Sequence, residues 1–191
     1  LCNLIARFWD VNEGEIKIGG NNIKDYTVEN LMDNISMVFQ SVYLFEDTIE
    51  NNIKFGYQNA TREEVVNAAK KAQCHDFIVS LPQGYNTSIG EGGASLSGGE
   101  KQRISIARAM LKDAPIIIFY EATANVDPEN EDKLKLAIES LTKNKTVIMI
   151  AHRLKTIRNA NQILVLDKGC IEQRGTHDEL MRQGGIYKDF V

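Results

Sequence analysis

These 191 residues have no excess of basic charge, no apolar run long enough to cross a membrane and no paired-cysteine motif. Lys and Arg number 22 against 26 Asp and Glu, so nothing pulls the chain electrostatically towards nucleic acid or anionic lipid. The longest apolar runs, at 116–119 and 147–151, are strand-sized. Any membrane anchor must therefore come from another segment or another chain. The three cysteines, Cys2, Cys74 and Cys170, are odd in number and widely separated. With no Cys/His cluster at metal-ligand spacing, they read as free thiols in a reducing compartment. Repeats, low-complexity tracts and Pro-, Gly- or Ser-rich linkers are also missing. What remains, 43% hydrophobic and 25% charged, is ordinary globular composition and long enough for one sizeable core.

Leu1 is not an initiator Met, and no signal-peptide pattern follows it. Leu1, Leu4, Ile5 and Phe8 share one helical face without a capping residue before them. This predicts a helix already under way when the sequence opens, and hence a truncated start. Strand and turn signals follow at 15–22, and a compact strand at 35–39 ends at Gln40. From 48 to 85 the pattern is helical, with capping-box spacing at Thr61–Glu64 and Val65, Ala68, Ala69 and Ala72 on one face. A helix at 98–111, a strand at 116–119, a helix from Pro128 capped by Asp127, and strands at 146–151 and 163–166 complete the alternation. A last capping box stands at Thr176–Glu179. Apolar strands alternating with amphipathic helices predict an α/β fold around a mostly parallel sheet, with a helical subdomain inserted at about 45–112.

Ligands of such sheets bind beyond the carboxyl ends of the strands. Gln40, Glu121 and His152 each follow an apolar run directly, and together they mark an active-site edge. Leu96-Ser97-Gly98-Gly99-Glu100-Lys101-Gln102-Arg103 has a capping box of its own, Ser97 with Glu100, ahead of the stripe Ile104, Ala107 and Leu111. Capping leaves the two glycines unexplained, since each costs roughly 1 kcal/mol against Ala inside a helix. Bare backbone at a helix N-terminus does let N–H groups and the positive dipole end approach a phosphate.

Leu96–Arg103 resembles the signature motif of ATP-binding cassette (ABC) proteins, and its surroundings are similar in order. Gln40 resembles the Q-loop glutamine and Glu121 the catalytic glutamate ending the Walker B strand. Ala124-Asn125-Val126-Asp127 resembles the D-loop, and His152 the switch histidine. The segments 44–53 and 85–93 are similar to exporter cassettes in particular. The resemblance covers nearly all of residues 1–191 and implies a P-loop NTPase-like ABC ATPase fold, a nucleotide-binding domain that couples ATP hydrolysis to transport.

It also implies partners and roles. A second nucleotide-binding domain, identical or different, would pack head to tail with this one, and a transmembrane domain of the same or another chain would hold it at the cytoplasmic face. No nucleic acid is implied. Glu121 and His152 would be catalytic. Ser97, Gly98, Gly99 and Gln102 would meet the nucleotide held by the opposite subunit, and Gln40 would sense Mg²⁺ and ATP.

The sequence departs from the family pattern twice. No G-x-x-x-x-G-K-[ST] loop occurs, although it would stand just before the helix that residues 1–9 resemble. Tyr120 occupies the position of the Asp that holds Mg²⁺, and an uncharged phenol cannot replace that carboxylate. The fragment is therefore expected to be inactive alone. A degenerate, non-hydrolysing cassette that lends its signature helix to a partner is the alternative. A chromosome-organising ATPase of the same fold is disfavoured, because the span between Gln40 and Ser97 has no sustained heptads.

Overall fold

The computed structural model describes residues 1–90, 96–120, 128–150 and 157–191. Two units emerge, Leu1–Ile148 and Met149–Val191. The first opens with α1 (Cys2–Ile5), which is shorter than the sequence predicts. Arg7 adopts φ 53°, and a left-handed residue ends the helix there. Phe8 thus lies beyond the helix and is exposed, as is Leu1, whereas Cys2 and Ala6 are the buried pair. Next come the ribbon β1 (Lys17–Ile18) and β2 (Asn21–Asn22), joined through Gly19 and Gly20, both at positive φ. After it, α2 (Val28–Asp33) is capped by Thr27.

β3 (Ile35–Phe39) is followed by β4 (Asp47–Thr48), α3 (Ile49–Lys54), α4 (Arg62–Lys71), α5 (His75–Ser80) and β5 (Ser88–Ile89). Then come α6 (Gly98–Lys112), β6 (Ile116–Tyr120), α7 (Pro128–Thr142) and β7 (Thr146–Ile150). The central sheet has the order β3-β6-β7, with β3 and β6 parallel and in register from Ile35↔Ile116 to Phe39↔Tyr120. A parallel pair needs a long crossover, and α3 to α6 provide it within the predicted 45–112. Ile117, Ile118 and Phe119 on β6, with Leu31, Ile35 and Val38, are buried. Each such side chain contributes up to about 1.5–3 kcal/mol on leaving water.

The helical region follows its local signals. Thr61 and Glu64 form both bonds of a capping box, and Val65, Ala68, Ala69 and Ala72 are all buried. Between α4 and α5 the chain turns at Gln73, φ 56°. His75 Nδ1 lies 2.9 Å from the Tyr85 hydroxyl, and the Arg62 guanidinium sits 4.5 Å over the Tyr85 ring. β4 and β5, unpredicted, pair antiparallel at Asp47↔Ile89 and Thr48↔Ser88.

In the second unit β8 (Ile163–Asp167) and β9 (Cys170–Gly175) form an antiparallel hairpin. Its two-residue turn, Lys168 and Gly169, has positive φ at both positions, the geometry that matches strand twist. α8 (His177–Gln183) starts at the predicted Thr176–Glu179 capping box, and α9 (Ile186–Phe190) follows. Ile163, Leu180 and Tyr187 form the unit's core.

Candidate nucleotide-facing site and the Arg108 cavity

The carboxyl ends of β3 and β6 form one edge. The Gln40 amide donates to the Tyr120 carbonyl at 2.9 Å, so the strand pairing extends one residue past β3. Gln40 itself is exposed beside the end of β6. Tyr120, 40% exposed, tilts its ring against Phe39 at a centroid distance of 6.3 Å. Glu121, Ala124, Asn125, Val126, Asp127 and His152 lie outside the described residues.

The start of α6 is built as its sequence predicts. Ser97 is the N-cap, its hydroxyl accepting from the Glu100 amide at 3.3 Å. The Glu100 carboxylate in return accepts from the Ser97 amide at 2.8 Å. Gly98 is exposed, and a Cβ there would meet nothing within 4 Å, whereas Gly99 is buried. The first residue of this fifteen-residue helix is thus exposed and has open space where a side chain would stand.

Gln102 faces inward. It is 3% exposed, and its Nε2 donates to the Phe39 carbonyl at 3.2 Å, tying α6 to the strand residue before Gln40. Arg103 is also buried, its guanidinium 5.5 Å over the Phe77 ring, and burial lowers its pKa.

A cavity of about 320 Å³ runs between β3, the segment after Gln40, and α6. Arg108 organises it. Its Nε donates to the Asn52 carbonyl at 2.8 Å and its guanidinium to Asn52 Oδ1 at 3.2 Å. The same group lies 5.5 Å over Phe45 and 5.4 Å over Phe55, and burial pushes its pKa down to about 10. Asn52, 1% exposed, closes both backbone groups of Phe45 and the Thr48 carbonyl. Gly56 completes the packing, because a Cβ there would fall on the Arg108 carbonyl oxygen.

The ABC transporter family profile matches residues 1–124. The ATP-dependent lipid A-core flippase of Haemophilus influenzae (strain 86-028NP) is 51% identical over 98% of this chain and 32% of its own length. The protein of that name from Syntrophus aciditrophicus (strain SB) is 52% identical over 98% of the chain and 31% of its own. A bacterial Atm1-family ABC exporter, solved with ATP bound, superposes with TM-score 0.92 at 44% identity. The superposition covers 99% of this chain and 33% of that one.

The chain belongs to the ABC transporter family.

It spans about a third of the relatives it matches and has the ABC ATPase fold, as a nucleotide-binding domain of the exporter type. For Mg²⁺, this ABC cassette offers a poor donor set among the described residues. Tyr120, at the position expected to hold the ion, presents a phenol, and among the described residues no group of three His, Cys, Asp or Glu could hold a metal.

Among the features of this ABC domain that sequence reasoning missed, the Arg108–Asn52 groove had a signal. Arg108 falls in the apolar stripe of α6, between Ala107 and Leu111, where a cation needs a reason.

Proposed function

We propose that this domain binds and hydrolyses ATP in pairs, as the motor of an exporter. The observation carrying this is the open start of α6, where Ser97 caps the helix and Gly98 leaves its backbone bare. Such a terminus is suited to the γ-phosphate of a nucleotide held by a second nucleotide-binding domain, identical or different. Gly99 belongs to the same turn. Gln102 supports it from within through Phe39, so a phosphate arriving at α6 and the position of Gln40 are mechanically linked.

Glu121 is proposed to polarise the attacking water and His152 to stabilise charge developing on the phosphoryl oxygens. Ala124 to Asp127 would lie along the interface between the two domains. ATP would hold the pair together and hydrolysis would release it, a differential affinity passed to a transmembrane domain. That domain, on the same or another chain, would keep the motor at the inner face of the membrane.

Gly98→Asp in the full-length protein tests the reading. The side chain has room, so the fold should survive, while its charge opposes a phosphate. Loss of ATP-dependent pairing and of at least 90% of hydrolysis, on the order of the effects of removing phosphate-stabilising donors, is the expected result. Unchanged hydrolysis with unchanged pairing would sink it. A non-hydrolysing cassette that lends α6 to a partner is favoured by Tyr120 alone. That version would raise the activity of an intact partner while hydrolysing nothing itself.

A further inference from the structure

A carboxylate beside a nucleotide's phosphates does two things. It helps hold a divalent cation against them, and with no cation present it repels them. A phenol does neither, because its O–H is uncharged at neutral pH and can donate a hydrogen bond as well as accept one. Tyr120 puts such a group at the carboxyl end of β6.

Its neighbours keep it there. β3 and β6 run parallel with Phe39 opposite Tyr120, so the two side chains share a face, and their rings lie tilted at a centroid distance of 6.3 Å. A core role does not account for the pair, since Phe39 is 42% and Tyr120 40% exposed. Gln40 comes next, its amide bonded to the Tyr120 carbonyl, and its side chain is neutral too. Phe39, Gln40 and Tyr120, the residues that end these two strands, therefore bring no formal charge to the edge.

We propose that Tyr120 makes nucleotide binding at this edge indifferent to divalent cations, so that the domain takes a metal-free nucleoside triphosphate as readily as its magnesium complex. Occupancy of the site then follows total ATP rather than free Mg²⁺. The proposal rests on the ATP reading above and concerns which form of the nucleotide is held.

The full-length protein and its Tyr120→Asp and Tyr120→Phe variants are titrated with the non-hydrolysable analogue AMP-PNP, once in excess magnesium and once in excess EDTA. For the wild type the two dissociation constants should agree within about twofold. Tyr120→Asp should bind at least about tenfold more weakly in EDTA than in magnesium, because its carboxylate then faces the phosphates bare. Tyr120→Phe is uncharged and keeps a ring against Phe39, so it should retain the wild-type ratio.

A role confined to ring packing would leave the ratio unchanged in Tyr120→Asp, and that result would overturn the proposal. So would a tenfold dependence on magnesium in the wild type or in Tyr120→Phe. Should Tyr120→Asp fail to fold, the other two ratios still decide. Absence of AMP-PNP binding in all three proteins under both conditions would instead remove the ATP reading itself, and this proposal with it.

Discussion

Gln102 Nε2 donates to the Phe39 carbonyl across 63 residues of chain, at 3.2 Å and out of solvent. That one bond joins the helix whose start is proposed to meet a phosphate to the strand whose end carries Gln40. Gln102→Leu should leave the Phe39 carbonyl without this donor and cost about 1–3 kcal/mol, read as a lower urea midpoint. Gln102→Glu should cost more, because a carboxylate would face a carbonyl oxygen. Wild-type midpoints in both variants would mean the bond contributes nothing.

Tyr120 stands beside Gln40 at the sheet edge, where a carboxylate is the expected residue. Tyr120→Asp in the full-length protein should raise the rate of ATP hydrolysis. The phosphate-release rate of the two proteins at saturating ATP is the measurement, and equal rates would count against a deficient metal position.

At Gly56 the obstacle is backbone, since a Cβ would fall on the Arg108 carbonyl oxygen. Gly56→Ala must push α3 away from α6, and about 1–3 kcal/mol of stability should go with it. Gly98→Ala, with open space around it, should stay within about 0.5 kcal/mol of wild type. Thermal unfolding of the two variants side by side checks the contrast.

Acid sensitivity follows from the caps. Hydrogen bonds from Thr61 lower the pKa of Glu64, and hydrogen bonds from Thr176 lower that of Glu179. The Asn51 side chain, then the Thr48 amide, lowers that of Asp47. Folded values below unfolded ones give stability that is complete above the ordinary carboxylate range and lost as pH falls through the depressed values. A Glu64→Gln, Glu179→Gln, Asp47→Asn variant keeps acceptors but cannot titrate. Its urea midpoint should therefore fall less steeply on acidification from neutrality than that of wild type.

The thiols differ by burial. Cys74 is fully buried, with its pKa pushed up to about 12, and burial also raises that of Cys2. Cys170 is exposed. A thiol reagent at neutral pH should label Cys170 in the folded protein and reach the other two only on unfolding.

Much of the fold was legible because its signals are local. The boxes at Thr61, Ser97 and Thr176 start helices where the sequence places them, and the apolar run at 116–119 is a largely buried strand. Features set by distant partners were not legible. β4 and β5 are two-residue strands defined only by each other, and β9 is too polar to read as a strand. α1 ends early on the backbone of Arg7, which no periodicity reveals.

At the site, the sequence marks Gln40 and Ser97 to Gly99 as surface features, and the structure divides them. Gln40, Ser97 and Gly98 are exposed, while Gly99 and Gln102 are inside. Helical spacing alone could have set Gln102 on the inner face, since it lies between the buried Gly99 and Ile106.

The parallel register of β3 with β6 imposes an order of assembly. β3 leaves the ribosome about eighty residues ahead of its partner, so the sheet cannot begin until the intervening helices have been synthesised. Of those helices, α3, α4 and α6 have their own side-chain caps and can form while translation continues. Until β6 arrives, the edge of β3 is an open template for other chains, and a pause in synthesis before residue 116 would prolong that hazard.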